Sequence, residues 1–107
     1  MNERNFIYKL VRQTEEKFGC ICYAHKDGNT NKTHVWWNIC IDNYELYYSD
    51  EFRAQTKQWY RKSKDVNINL LFCYCNPTEE KLAKFAEEDN LILNLDVKVN
   101  GNRKENQ

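Results

Sequence analysis

Val66-Asn67-Ile68-Asn69-Leu70-Leu71-Phe72-Cys73-Tyr74-Cys75, followed by Asn76-Pro77-Thr78-Glu79 and then by Leu91-Ile92-Leu93-Asn94-Leu95-Asp96-Val97-Lys98-Val99, is the stretch on which the fold turns. Its first part sets Val66, Ile68, Leu70, Phe72 and Tyr74 against Asn67, Asn69, Leu71, Cys73 and Cys75, the period of two of a strand. As the most apolar strand of the chain it is expected at the centre of a sheet. Asn76 suits a helix cap, Pro77 the first helical position, where its missing amide costs nothing, and Glu79 the far side of a capping box. Leu82, Phe85 and Ala86 then form the buried stripe, and Asn90 suits a left-handed stop. Leu91 to Val99 alternates once more, as a half-exposed strand. Strand, helix and strand in succession predict a right-handed parallel crossover.

Towards the N-terminus the reading is of an amphipathic helix over residues 3 to 18. Phe6, Ile7, Leu10, Val11, Thr14 and Phe18 lie on one face, Arg4, Lys9, Arg12, Glu15 and Glu16 lie elsewhere, and Gly19 is the stop. Cys20 to His25 and His34 to Asp42 read as a hairpin around the polar turn Asp27-Gly28-Asn29-Thr30-Asn31, with Tyr44 to Tyr48 as a third strand. Ser49 caps a second helix running to about Lys62, with Phe52, Thr56, Trp59 and Ser63 inward. The order is α-β-β-β-α-β-α-β. It predicts one α+β domain over residues 1–100, with a mixed sheet of four to five strands, an antiparallel meander plus one parallel βαβ crossover, packed with three helices. Residues 101–107 read as a flexible tail.

Composition narrows the function classes. The 107 residues carry 16 Lys+Arg against 16 Asp+Glu, so the totals hold neither a basic nucleic-acid signature nor an acidic one. Three Trp, seven Tyr and five Phe against one Pro and three Gly describe a folded chain. No apolar run has the length of a signal peptide or a membrane span, so a cytoplasmic protein with reduced thiols and no membrane partner is expected. Fourteen Asn and 11 Lys point to AT-rich coding, as in low-GC bacteria and their phages, and a small protein of a phage or mobile element has this size. Glycine-rich phosphate loops, nucleophile elbows and paired-His motifs are absent, so no catalytic residue is assigned.

Three groups of residues stand out. Cys20-x-Cys22 and Cys73-x-Cys75 each place two thiols on one face of a strand, and if those strands are neighbours the four thiols converge on a tetrahedral zinc site. The alternative for the same residues is plain core or sheet-face packing. Cys75, one residue before the Asn76 cap, is the thiol nearest a helix dipole. In the second helix Arg53, Lys57, Tyr60, Arg61, Lys62 and Lys64 interleave a ring with cations, a face able to meet phosphates and bases. Residues 79–96 are acidic in turn, so the molecule is polarised and suited to oriented docking. Trp36 and Tyr47, with Trp37, Tyr44 and Tyr48, add aromatic surface of the kind that dominates protein interfaces.

The opening α-β-β-β-α order resembles a double-stranded-RNA-binding domain, although Ser49-Asp50-Glu51 stands where that family carries basic residues. The α-β-β-β-α-β order resembles the core of restriction-endonuclease-like nucleases. Glu45-Leu46-Tyr47 and Glu51-Phe52-Arg53 lack the lysine of that family's metal site, so this resemblance implies a degenerate core that binds nucleic acid. The leading expectation is a non-enzymatic binding protein, an inhibitor or accessory protein with a protein partner. A nucleic-acid-binding protein and a zinc-stabilised module are the alternatives, and an exposed strand edge would permit a homodimer.

Overall fold

A computed structural model describes residues 2–93. The first helix, α1 (Glu3–Phe18), starts where Asn2 Oδ1 accepts the amides of Arg4 and Asn5, at 2.7 and 3.3 Å. It stops at Gly19, whose φ of 66° is the left-handed conformation glycine adopts without strain. Phe6, Ile7, Leu10, Val11 and Thr14 are buried as the periodicity requires. Glu15 is buried as well, and this corrects its placement away from the apolar face: its Oε1 accepts the Cys22 amide at 3.0 Å, so the carboxylate ties the helix to the start of the sheet.

Strands β1 (Cys22–Gly28) and β2 (Val35–Ile41) form the antiparallel hairpin, with Cys22 opposite Ile41 and Gly28 opposite Val35. The segment expected as a third strand is a helical turn, α2 (Tyr44–Tyr47). Asn43 decides it: its side chain accepts the Leu46 amide at 3.0 Å, and its carbonyl takes the Tyr47 amide at 3.0 Å. Both comparisons built on three consecutive strands therefore lose their basis, because Glu45-Leu46-Tyr47 lies on a helix. Helix α3 (Asp50–Asp65) follows the Ser49 cap, runs three residues beyond the expected end and buries Phe52, Thr56, Trp59 and Ser63.

After a left-handed residue at Asn67 comes β3 (Leu70–Tyr74), shorter than the alternation suggested. Helix α4 (Glu79–Glu87) is capped by Thr78, whose hydroxyl accepts the Lys81 amide at 3.2 Å, so Asn76 and Pro77 precede the helix and Glu79 closes no capping box. Leu82 and Phe85 are only half-buried and Ala86 is exposed. The left-handed stop falls on Asp89, one residue before the expected Asn90. Strand β4 is described over Leu91–Leu93; the remainder of the expected strand and the expected tail lie outside the described residues.

The result is an α+β molecule with a mixed four-stranded sheet in the order β3-β2-β1-β4. β3 pairs with β2 in parallel, while β1 is antiparallel to both β2 and β4. Strands β3 and β4 thus run in the same direction but on opposite edges, and the neighbouring parallel pair is β2 and β3, joined through α2 and α3. The apolar strand 70–74, expected at the centre, is an edge strand paired with β2 alone, and its apolar Leu71 and Tyr74 are exposed. One sheet face packs Cys22, Ala24, Trp37, Ile39, Ile41, Phe72 and Ile92 against α1 and α3. The other carries Tyr23, His25, Asn38, Cys40 and Cys73, with the His25 ring stacked on Phe85 of α4 at 4.1 Å.

Candidate functional site

Among the described residues six large apolar side chains are exposed, and five of them (Tyr44, Tyr48, Tyr60, Leu71 and Tyr74) lie on α2, α3, β3 or the turn that joins α2 to α3. The clustering follows from topology. Helix α2 leaves the end of β2 and turns beside β3, so Tyr44 meets Tyr48 and Tyr74 with ring centroids at 5.0 and 5.4 Å. Tyr47 is half-buried between them and donates its hydroxyl to the Phe72 carbonyl at 3.0 Å; burial raises its pKa. Tyr60 stands edge-on to Phe72 at 5.2 Å. A cleft of about 270 Å³ opens between these rings, lined by Tyr47, Tyr48, Arg53, Thr56, Tyr60 and Phe72.

The cations of α3 divide by helical geometry. Arg53, Lys57, Tyr60 and Lys64 follow at steps of three and four and share the flank towards that cleft. Arg61 lies beside this flank, whereas Lys62 takes the other side of the helix, with its ammonium 5.0 Å from the Trp59 ring centroid. All five cations are exposed. Helix α4, which leads from β3 to β4, exposes Glu79, Glu80 and Glu87 beside Lys81 and Lys84, and at its exit Glu88 and Asp89, the latter facing Arg4 at 3.8 Å. The acidic exit of α4 thus lies by β4, across the sheet from the cations of α3.

The thiols are arranged differently from the zinc reading. Cys22 faces the helix-packed core, and Cys20 precedes β1 and packs against the same cluster. Cys73 lies on the outer face of β3, two strands away, and Cys75 follows it. The two Cys-x-Cys pairs do not meet, and no set of three or more His, Cys, Asp or Glu among the described residues is placed to hold a metal ion. Cys40, outside both Cys-x-Cys pairs, is the register partner of Cys73 on the parallel ladder and of Tyr23 on the antiparallel one. Spacing within a strand was legible; strand adjacency was not.

A hydrogen-bonded chain runs along this outer face. The Asn38 side chain donates to Asp27 at 3.3 Å, accepts from Trp36 Nε1 at 3.0 Å, and has the Cys73 sulfur 3.9 Å from its oxygen. Trp36 is thus half-buried and engaged in a structural bond, not held out as a free ring. The Tyr23 hydroxyl donates to the Cys75 carbonyl at 2.9 Å, and burial, then the neighbouring Cys75 side chain, push its pKa well up. The Cys40 and Cys73 side chains stand beside each other on the paired strands, and the Cys73 thiol donates to Asn38 Oδ1. The neighbouring Cys73 side chain, then burial, raise the Cys40 pKa, and the Cys40 thiol brings Cys73 down to about 7.

Comparison of the chain with protein families, with curated proteins and with solved structures returns no match. The site therefore rests on its own geometry. A cleft of about 610 Å³ lies at the Asp27 end of the outer face, between the β1–β2 loop and the end of α4, with His25, Asp27, Lys32, Phe85 and Glu88 on its walls.

Proposed function

We propose that this chain is a small non-enzymatic binding protein, an inhibitor or accessory protein, that docks an acidic protein surface through the tyrosine-lined β3 edge. The observation that carries the reading is the confinement of Tyr44, Tyr48, Tyr60, Leu71 and Tyr74 to one edge of the sheet. Tyrosine supplies rigid, amphipathic contact area and is enriched in binding hot spots. The flanking stripe of Arg53, Lys57 and Lys64, with the acidic pole at the far edge, would orient an acidic partner during approach.

A photo-crosslinking residue placed at position 48, compared with one at position 34 in the hairpin loop, tests this in cells. The expected result is a discrete protein adduct from position 48 that disappears with Arg53→Glu. Adducts of equal yield from both positions, or none, would overturn the reading. Salt-sensitive retention of the purified chain on RNA or single-stranded DNA, lost in Tyr60→Ala, would replace the protein partner with a nucleic acid.

A further inference from the structure

We propose that Cys40 and Cys73 form a hydroperoxide-oxidised dithiol, in which Cys73 is the attacking thiol and Cys40 the resolving one. The pair is defined by the fold. The two residues are direct register partners on adjacent parallel strands and project from the same outer face. Neighbouring strands lie about 4.8 Å apart, inside the range of about 4.4 to 6.8 Å that disulfides span between Cα atoms. Cys40 is 1% exposed, whereas Cys73 is half-buried, so one thiol can meet a dissolved oxidant and the other is sheltered until it reacts. Tyr23 closes the site from the β1 side, and Asn38 sits beside the Cys73 sulfur.

The chemistry follows from this asymmetry. Cys73 is the thiol that solvent reaches and Cys40 is the buried one, and the neighbouring Cys40 thiol lowers the Cys73 pKa, so Cys73 supplies the nucleophilic thiolate. Its attack on the distal oxygen of a hydroperoxide breaks the O–O bond, forms the Cys73 sulfenic acid and releases the alkoxide or hydroxide, which takes a proton from water. The Cys40 sulfur then attacks the sulfenic sulfur, the new S–S bond forms, and the sulfenic oxygen leaves as water with the Cys40 proton. Two thiols are oxidised and one peroxide is reduced. Side chains on parallel neighbours point side by side, so closing the bond draws the strands together. Strand β3 is paired on one side only but is held by the Tyr47 hydroxyl on the Phe72 carbonyl and the Tyr23 hydroxyl on the Cys75 carbonyl, so closing the bond strains the ladder and leaves the bond readily reducible.

The test is titration of the reduced full-length protein with hydrogen peroxide, followed by thiol counting and peptide mapping by mass spectrometry. Titratable thiols should fall from five to three, with a Cys40–Cys73 linked peptide that dithiothreitol reverses. Offsetting the gain in thiolate fraction by its lower intrinsic nucleophilicity, Cys73 should react about fivefold faster than an ordinary exposed thiol. Cys73→Ser should abolish the fast phase, Cys75→Ser should keep the linkage, and Cys40→Ser should leave a Cys73 sulfenic acid that dimedone traps. A linkage between Cys73 and Cys75, first oxidation at another cysteine, or retention of all five thiols would overturn the proposal. Mapping of the unsubstituted chain decides the matter even if a variant fails to fold.

Discussion

At the scale of single residues, three positions carry more than their types suggest. Glu15 holds its carboxylate against the Cys22 amide inside the helix–sheet junction. Truncation by Glu15→Ala leaves that buried donor without its acceptor and should cost about 1 to 3 kcal/mol, read from urea denaturation. Gly28 ends β1 where a Cβ would stand 2.7 Å from the His34 carbonyl oxygen, a backbone atom that cannot yield without opening the hairpin. Gly28→Ala is therefore expected to lower the melting temperature, whereas alanine at the neighbouring exposed Asn29 disturbs only the side-chain bonds that Asn29 makes to Thr33 and His34. His25 stacks on Phe85, and its Nδ1 is buried with no hydrogen-bond partner among the described residues. Burial lowers its pKa, against a smaller upward pull from Asp27. As the pH falls below about 6.5 the unfolded chain takes up the proton first, so stability is level above that pH and declines below it. A His25→Gln variant should show a flatter decline between neutral pH and pH 5 in denaturant midpoints.

At the scale of elements, what was legible in the sequence is what a local signal determines. The Phe52, Thr56, Trp59 and Ser63 stripe, the Gly19 stop, the Ser49 cap and the hairpin of the first two strands all appear as read. The Tyr44–Tyr47 turn was misread because its rings favour strands, while the deciding signal, Asn43 as a cap, looked like a turn residue between two strands. The placement of the β3 strand was misread for another reason. Apolar content was taken as a measure of centrality, whereas Leu71 and Tyr74 belong to a surface. The Cys40–Cys73 pair had no local signal at all, since sequence patterns fix a residue's face but not its neighbour strand. The caps give a direct check. Ser49 Oγ accepts the Phe52 amide at 3.1 Å and donates to the Leu46 carbonyl at 2.7 Å, joining α2 to α3. Ser49→Ala should lose about 1 to 2 kcal/mol and should increase amide exchange at both helices.

At the scale of the whole molecule, a formal charge of zero conceals a cationic helix beside one sheet edge and an acidic helix exit beside the other. Opposite poles on one particle attract when copies approach head to tail, and no net charge opposes them. Static light scattering should therefore show weak attraction at low ionic strength that fades as salt shortens the screening length to about 10 Å near 0.1 M. Reversing the α3 pole with Lys57→Glu and Arg61→Glu should remove that attraction without changing the fold. Among the described residues no helix is long and apolar enough to cross a membrane, and the exposed apolar surface is gathered at one edge.

The strand order also sets a sequence of events during synthesis. The β1–β2 hairpin leaves the ribosome with both of its flanks bare, and each flank is sealed by a segment translated later, first β3 and then β4. Until residue 74 has emerged for β2, and residue 93 for β1, the hairpin offers open ladders to any neighbouring nascent chain. A stop codon between α3 and β3 should therefore yield inclusion bodies, and the short-lived state it mimics is the one a chaperone of the host would meet.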